Sequence, residues 1–296
     1  MSDLSVVPSL PRRPPRAAYA LPTLFTAGNV FLGYLAILRC IQAALNVGHN
    51  LPLAMDQFVV AAKCIGIAIA LDGLDGRIAR MTHTTSEFGR EMDSLADVVS
   101  FGLAPAILAY TWGVQTVDWA GAPAFTDHLH RAGTFLAFLF LICGAARLAR
   151  FNVQKNPRPK NPGRPYRKYF VGLPIPAGAG LIASVVFFAD GYPLTYWAEA
   201  VLWLATLAAL GFLMVCTWRY YAFKDNTLLR PRSPLTIIPL GILIFLIWNW
   251  AQPVLLLLAL AYAASGPLIR IGGLLRRLTG RASTPPSPTP LEQDIV

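Results

Sequence analysis

Charged residues are scarce in this sequence. Only 14% of its 296 residues are Asp, Glu, Lys or Arg, against about 25% in an ordinary soluble domain. With 55% apolar residues and a mean hydropathy of +0.51, that scarcity excludes a water-soluble enzyme and a disordered chain. Cysteine is equally sparse. Cys40, Cys64, Cys143 and Cys216 all fall in apolar stretches, with no C-x-x-C pair and no Cys/His cluster. They read as small buried apolar side chains, and neither a disulfide framework nor a zinc site is indicated.

Long apolar runs take the place of charge. At about 20 residues per crossing, eight membrane helices would use about 160 residues, close to the whole apolar content. Apolar windows lie near 20–45, 57–80, 92–113, 132–152, 170–190, 198–218, 234–250 and 253–273. The first run is too long for the apolar part of a signal peptide and is expected to remain as a helix. Of the 25 Lys and Arg, 22 lie in alternate connections and the two tails, leaving Arg39, Lys63 and Arg131 for the other side. By the positive-inside rule both termini are then cytoplasmic, and the net charge of +10 faces anionic lipid rather than nucleic acid. Arg39 and Lys63 are expected to snorkel from helix ends. The predicted fold is an all-α polytopic membrane protein of about eight transmembrane helices. It divides into a basic cytoplasmic tail (1–19), a six-helix core (20–218), two additional C-terminal transmembrane helices (219–275) and a disordered cytoplasmic tail (276–296). Residues 153–168 form a proline-broken basic loop that cannot be one helix.

The acids are concentrated where the apolar runs end. Six of the fifteen lie between residues 72 and 97. Asp72 and Asp75 are three apart and Asp93 and Asp97 four apart, so each pair shares one face of its helix. Two antiparallel helices with a short connection would bring four carboxylates together, a hard-oxygen set suited to Mg²⁺, Mn²⁺ or Ca²⁺. Gly76, Ala79 and Gly89 bare the backbone beside them, and Arg80 offers a planar fork for phosphate. Together these residues describe a site for a nucleotide diphosphate. The structural alternative is an intramembrane ion-pair network, Asp75 with Arg80 for example, combined with small-residue helix packing. A cation path is a further alternative, although such paths usually place their acids near mid-bilayer.

The run Asp72-x-x-Asp75-Gly76-x-x-Ala79-Arg80, eight residues, then Gly89-x-x-x-Asp93-x-x-x-Asp97 resembles the signature of the CDP-alcohol phosphotransferases at every motif position. The resemblance implies transfer from a CDP-linked donor to an alcohol with release of CMP. It implies two divalent metals, Mg²⁺ or Mn²⁺, on Asp72, Asp75 and Asp93, with Asp97 as the base for the acceptor hydroxyl and a further metal contact. Asp72, Gly76, Ala79, Arg80 and Gly89 would then cradle the nucleotide and diphosphate.

Other segments refine the resemblance. Ser94-Leu-Ala-Asp97-Val-Val-Ser-Phe-Gly102-Leu-Ala-Pro105, Arg147-Leu-Ala-Arg150-Phe-Asn152 and Gly172-Leu-Pro-Ile-Pro-Ala177 are similar to those of integral-membrane phosphatidylserine synthases. Arg219-Tyr-Tyr-Ala-Phe-Lys224 and Ser265-Gly-Pro267 add weaker support. The likeness implies CDP-diacylglycerol and L-serine as substrates, a homodimer, and a bacterial inner membrane with the site at its cytoplasmic face. None of His49, His83, His128 or His130 begins the H-x-K-x-x-x-x-D pattern of phosphohistidine chemistry. For the acceptor, Arg147, Arg150 and Asn152 are the candidates, serine needing a cation for its carboxylate and an acceptor for its ammonium group. Arginines at a helix end are also common topology anchors. Thr26 and Asn29 either line the site or hydrogen-bond between helices, and His83 reads as a solvated loop residue. Glycerol 3-phosphate, inositol phosphate and choline remain alternative acceptors.

Overall fold

The computed structural model describes residues 17–82, 87–118, 121–155, 169–221 and 234–278. Among these it is almost wholly helical. The helices are α1 (Ala17–Asn46), α2 (Leu51–Thr82), α3 (Glu87–Asp97), α4 (Ala104–Gly113), α5 (Pro123–Lys155), α6 (Ile175–Phe188), α7 (Trp197–Val215), α8 (Pro234–Asn249) and α9 (Ala251–Leu278). A π-helical turn, Val98–Leu103, joins α3 to α4 as one rod. Two three-residue strands, β1 (Tyr169–Val171) and β2 (Arg219–Tyr221), pair antiparallel with Phe170 opposite Tyr220.

Six helical stretches are long and apolar enough to cross a membrane: Leu24–Asn46, Leu51–Ile78, Phe88–Gly113, Pro123–Val153, Trp197–Val215 and Ala251–Gly272. The other two expected spans, near 170–190 and 234–250, are helices too short for that test. α6 has 14 residues, a length of about 21 Å. Its shortness has a local cause. Residues 169–171 go to the strand pair, Gly172 takes φ +77°, and Pro174, with ψ 140°, holds the chain extended until Ile175. A side chain at 172 would also run into the Met214 carbonyl. At the far end Asp190 and Gly191 both take positive φ and turn the chain out of the helix. α8 has 16 residues and carries Pro239 inside it.

α1 and α2 form an antiparallel hairpin. Asn50 caps α2, its Oδ1 accepting the Leu53 N–H at 3.2 Å. One face of α1 exposes Phe31, Tyr34, Leu38, Ile41 and Leu45; at helical spacing this is a stripe suited to lipid. The other face carries Ala36, Cys40 and Ala43, fully buried against α2. The four cysteines are free thiols. Arg39 and Lys63 find partners inside the protein: Arg39 donates to Gln57 Oε1 at 2.9 Å, and the Lys63 ammonium lies 5.6 Å from the centre of the Phe187 ring.

α4 is the most enclosed element, with eight of its ten residues buried. Trp112 meets Trp203 of α7 edge-on at 5.1 Å, and the Trp203 indole donates to the Ala109 carbonyl at 2.9 Å. Phe58, Phe101, Leu108, Phe140, Ile175 and Leu207 complete a continuous core through α2, α4, α5, α6 and α7. α9 runs on to Leu278, so residues 276–278, assigned to the tail on sequence, are helical. Residues 279–296 and most of the basic loop lie outside the described residues.

Candidate active site

The site forms where α2 ends and α3 begins. α3 is short and strongly two-faced: Phe88, Met92 and Leu95 are exposed on one side, while Asp93 and Asp97, four apart, share another. α2 brings Asp72 from the opposite direction. One carboxylate oxygen from each of Asp72, Asp93 and Asp97 lies within 4.8 Å of the others. Like charges this close repel by on the order of a few kcal/mol per pair unless a cation or protons intervene.

Asp75 is held differently from the other three. It is 7% exposed, and its Oδ2 accepts the Thr26 hydroxyl of α1 at 2.8 Å. Its Oδ1 has no hydrogen-bond partner, and the same is true of Oδ1 of buried Asp97. Buried carboxylate oxygens without a donor are costly and fit a cation ligand set. The cluster is all oxygen, the chemistry that hard divalent cations prefer. The residues present therefore fit a divalent metal.

The wall facing α3 comes from the end of α5. A cleft of about 100 Å³ is lined by Asp93, Ser94 and Asp97 on one side and by Leu148, Phe151 and Asn152 on the other. The Asn152 amide Nδ2 donates to Ser94 Oγ at 2.7 Å, bridging the two helices. Arg147 is 8% exposed, within electrostatic reach of Asp97 and Tyr262, and its Nε has no partner. Arg150 points elsewhere: it donates to the Val215 carbonyl at 3.1 Å and to the Val171 carbonyl at 3.4 Å, tying α5 to the end of α7 and to β1.

Gly76 follows Asp75 on α2, and Gly89 stands one turn before Asp93 on α3. Ala79 and Arg80 continue α2 as helix, but their side chains, like His83, lie outside the described residues. Thr26 makes its helix contact through its side chain, whereas Asn29 makes its own through the backbone, its buried Oδ1 having no hydrogen-bond partner. Thr26 holds Asp75, and the Asn29 carbonyl accepts the Ser100 hydroxyl of the π turn at 2.8 Å, locking α1 to the rod that carries Asp93 and Asp97. Sequence reasoning passed over Ser94 and Ser100 as site residues. Both lie in the Ser94–Pro105 segment that carries the resemblance, Ser94 directly after Asp93 and Ser100 three residues after Asp97.

Comparison with known proteins agrees with this geometry. Residues 19–212 match the CDP-alcohol phosphatidyltransferase family. The CDP-diacylglycerol–serine O-phosphatidyltransferase of Helicobacter pylori is 39% identical over 206 residues, covering 70% of this chain and 73% of that protein. The Bacillus subtilis protein of the same name is 30% identical over 206 residues, covering 70% of this chain and 92% of its own. An archaetidylserine synthase of Methanothermobacter thermautotrophicus is 35% identical over 175 residues, 58% of this chain and 59% of that one. The match spans all the helices that build the aspartate cluster and the cleft, and the chain belongs to the CDP-alcohol phosphatidyltransferase family.

Proposed function

We propose that this protein transfers the phosphatidyl group of CDP-diacylglycerol to L-serine, giving phosphatidylserine and CMP. The convergence of Asp72, Asp93 and Asp97 oxygens within 4.8 Å carries the chemistry. Relatives named for serine transfer carry the acceptor, since their names share serine whether the lipid is phosphatidyl or archaetidyl.

Asp72, Asp93 and Asp97, with Asp75 beside them, would hold one or two Mg²⁺ or Mn²⁺ ions, which when bound neutralise a diphosphate and draw charge from the phosphorus. Asp97 keeps Oδ1 free of hydrogen bonds. The Asp97 oxygen not engaged with a cation takes the serine hydroxyl proton as the hydroxyl oxygen bonds to the β-phosphorus and the bond to the CMP oxygen breaks. A carboxylate is a weak base for an alcohol, so orientation of the two substrates supplies most of the acceleration. Gly76, Ala79, Arg80 and Gly89 form the nucleotide and diphosphate surface beside Asp72. Arg147, buried and with Nε unpartnered, answers the serine carboxylate, and Asn152 answers its ammonium. Arg150 frames this wall through the carbonyls it holds.

In this reading all eight rods lie in the membrane, α6 and α8 included. Both termini and the aspartate site face the cytoplasm across a bacterial inner membrane, and the donor enters sideways with its acyl chains in lipid. Residues 20–218 form the catalytic core, 219–275 add two helices, and two copies pair through membrane helices. The segregation of 22 of 25 basic residues to one side supports this orientation. Thiol labelling of single cysteines placed at 49 and 122 tests it: modification by an impermeant reagent from the cytoplasmic side would overturn it.

Release of labelled CMP from CDP-diacylglycerol by the detergent-purified protein tests the reaction itself. The expected result is release that needs L-serine and either Mg²⁺ or Mn²⁺ and stops with EDTA. Release driven instead by glycerol 3-phosphate, inositol phosphate or choline would keep the aspartate site and overturn the acceptor.

A further inference from the structure

The hydrogen bonds between α3 and α5 have a direction. Ser94 has one hydroxyl proton, and it goes to the Arg90 carbonyl one turn earlier, at 2.9 Å. With that proton committed, Ser94 Oγ offers its neighbour only lone pairs. The 2.7 Å contact to Asn152 is therefore one in which the amide NH₂ donates. Turning the amide over would either set its Oδ1 against those lone pairs or draw the Ser94 proton away from the Arg90 carbonyl, so one of the two bonds would be lost. The chain from Asn152 through Ser94 to the Arg90 carbonyl thus fixes which end of the amide meets α3. The other end, Oδ1, is left to the cleft that the side chain lines beside Asp93 and Asp97.

We propose that Ser94 is a positioning residue for the acceptor: it holds Asn152 with Oδ1 presented to the cleft as the acceptor for a substrate ammonium group. This rests on the reading of an amino alcohol, serine, as the second substrate. The choice of an amide has a physical reason. A carboxylate at 152 would also attract an ammonium, but it would add a further negative charge beside Asp93 and Asp97 and compete for their cation. The amide oxygen supplies a lone pair without either penalty. Ser94 also keeps the amide from rotating its NH₂ into the cleft, where it would repel the ammonium it must bind.

Steady-state CMP release by the full-length protein, with L-serine varied and 3-hydroxypropanoate as competitor, tests this. The competitor is serine without its amino group, so it reports the rest of the acceptor site. Ser94→Ala should raise KM for serine about tenfold, with kcat within about threefold and KM for CDP-diacylglycerol unchanged. The inhibition constant of 3-hydroxypropanoate should stay within about twofold. Ser94→Thr, which keeps the hydroxyl and its bond to the preceding turn, should restore the serine KM. If KM for serine and the inhibition constant rise together, Ser94 merely ties two helices and the proposal fails. It fails equally if neither moves. Wild-type protein that releases CMP without any dependence on serine would overturn the acceptor reading first, and this inference with it.

Discussion

The Tyr220 hydroxyl donates to the backbone carbonyl of Ala263 at 3.2 Å. That carbonyl lies four residues before Pro267, which has no N–H to return to it, so α9 leaves an orphan acceptor and β2 satisfies it. Gly266 lets the fully buried phenol ring lie against the helix, since a Cβ there would stand 2.6 Å from the phenol oxygen. The two weakest sequence resemblances, Arg219–Lys224 and Ser265–Pro267, are thus two halves of one contact.

This contact predicts non-additive stability. Tyr220→Phe should lower the apparent melting temperature in detergent by a few degrees, corresponding to about 1 kcal/mol. In a Pro267→Ala background the new N–H supplies the donor, and the same change should cost little. Strict additivity of the two substitutions would sink the explanation. Gly266→Ala should cost more than Tyr220→Phe, because the ring has no room to move aside.

Crowding of Asp72, Asp93 and Asp97 gives opposite signs with and without metal. In EDTA, Asp72→Asn removes a repelling charge and should raise the melting temperature. With Mn²⁺ present, the wild type should gain stability by ligand linkage while Asp72→Asn gains little. Differential scanning fluorimetry across a Mn²⁺ titration separates the two, and a wild-type curve indifferent to Mn²⁺ would remove the metal site.

For Asp97→Asn, turnover should fall at least a hundredfold while CDP-diacylglycerol binding is retained, because the substituted amide cannot take a proton. Equilibrium binding of labelled donor, measured beside single-turnover CMP release, distinguishes this from loss of a structural ligand. A parallel loss of binding would leave Asp97 a ligand only and remove it as the base.

Thr26 is the one described side chain whose hydrogen bond to Asp75 is defined, at 2.8 Å. Thr26→Val leaves that buried carboxylate without its donor and should cost about tenfold in activity, whereas Thr26→Ser keeps the hydroxyl and should retain activity. Equal activity in both variants would mean that Asp75 draws nothing from α1.

Arg147 and Arg150 sit three residues apart in sequence but do different work, and their alanine variants should separate accordingly. Arg147→Ala should raise KM for serine with little change in melting temperature. Arg150→Ala strips donors from the Val215 and Val171 carbonyls and should lower the melting temperature. Identical profiles for the two would contradict the assignment.

Much of the fold was legible because helix geometry is periodic. Spacings of three and four put Asp72, Asp75, Asp93 and Asp97 on helix faces, and apolar windows located each rod. What periodicity does not carry is contact between distant segments. Thr26 meets Asp75 across 49 positions and Asn152 meets Ser94 across 58, and no local pattern joins either pair. Composition also overstated α6: an apolar run near 170–190 reads as a full span, while Gly172 and Pro174 shorten the helix through backbone angles that hydropathy ignores. Of the four carboxylates expected to converge, Asp72, Asp93 and Asp97 come within 4.8 Å of one another, while Asp75 accepts a hydroxyl from α1.

The π turn at Val98–Leu103 sets the angular phase between chemistry and anchor on one rod. On its near side α3 shows acids to the cleft and Phe88, Met92 and Leu95 outward; on its far side α4 is enclosed almost all round. Each residue of helix advances the azimuth by about 100°. Deleting a single residue from this turn would leave Trp112 locked against Trp203 and swing both α3 aspartates away from Asp72 by roughly that angle. The turn therefore works as a fixed angular offset, letting one part of the helix be chosen for chemistry and the other for packing without either dictating the other's heading.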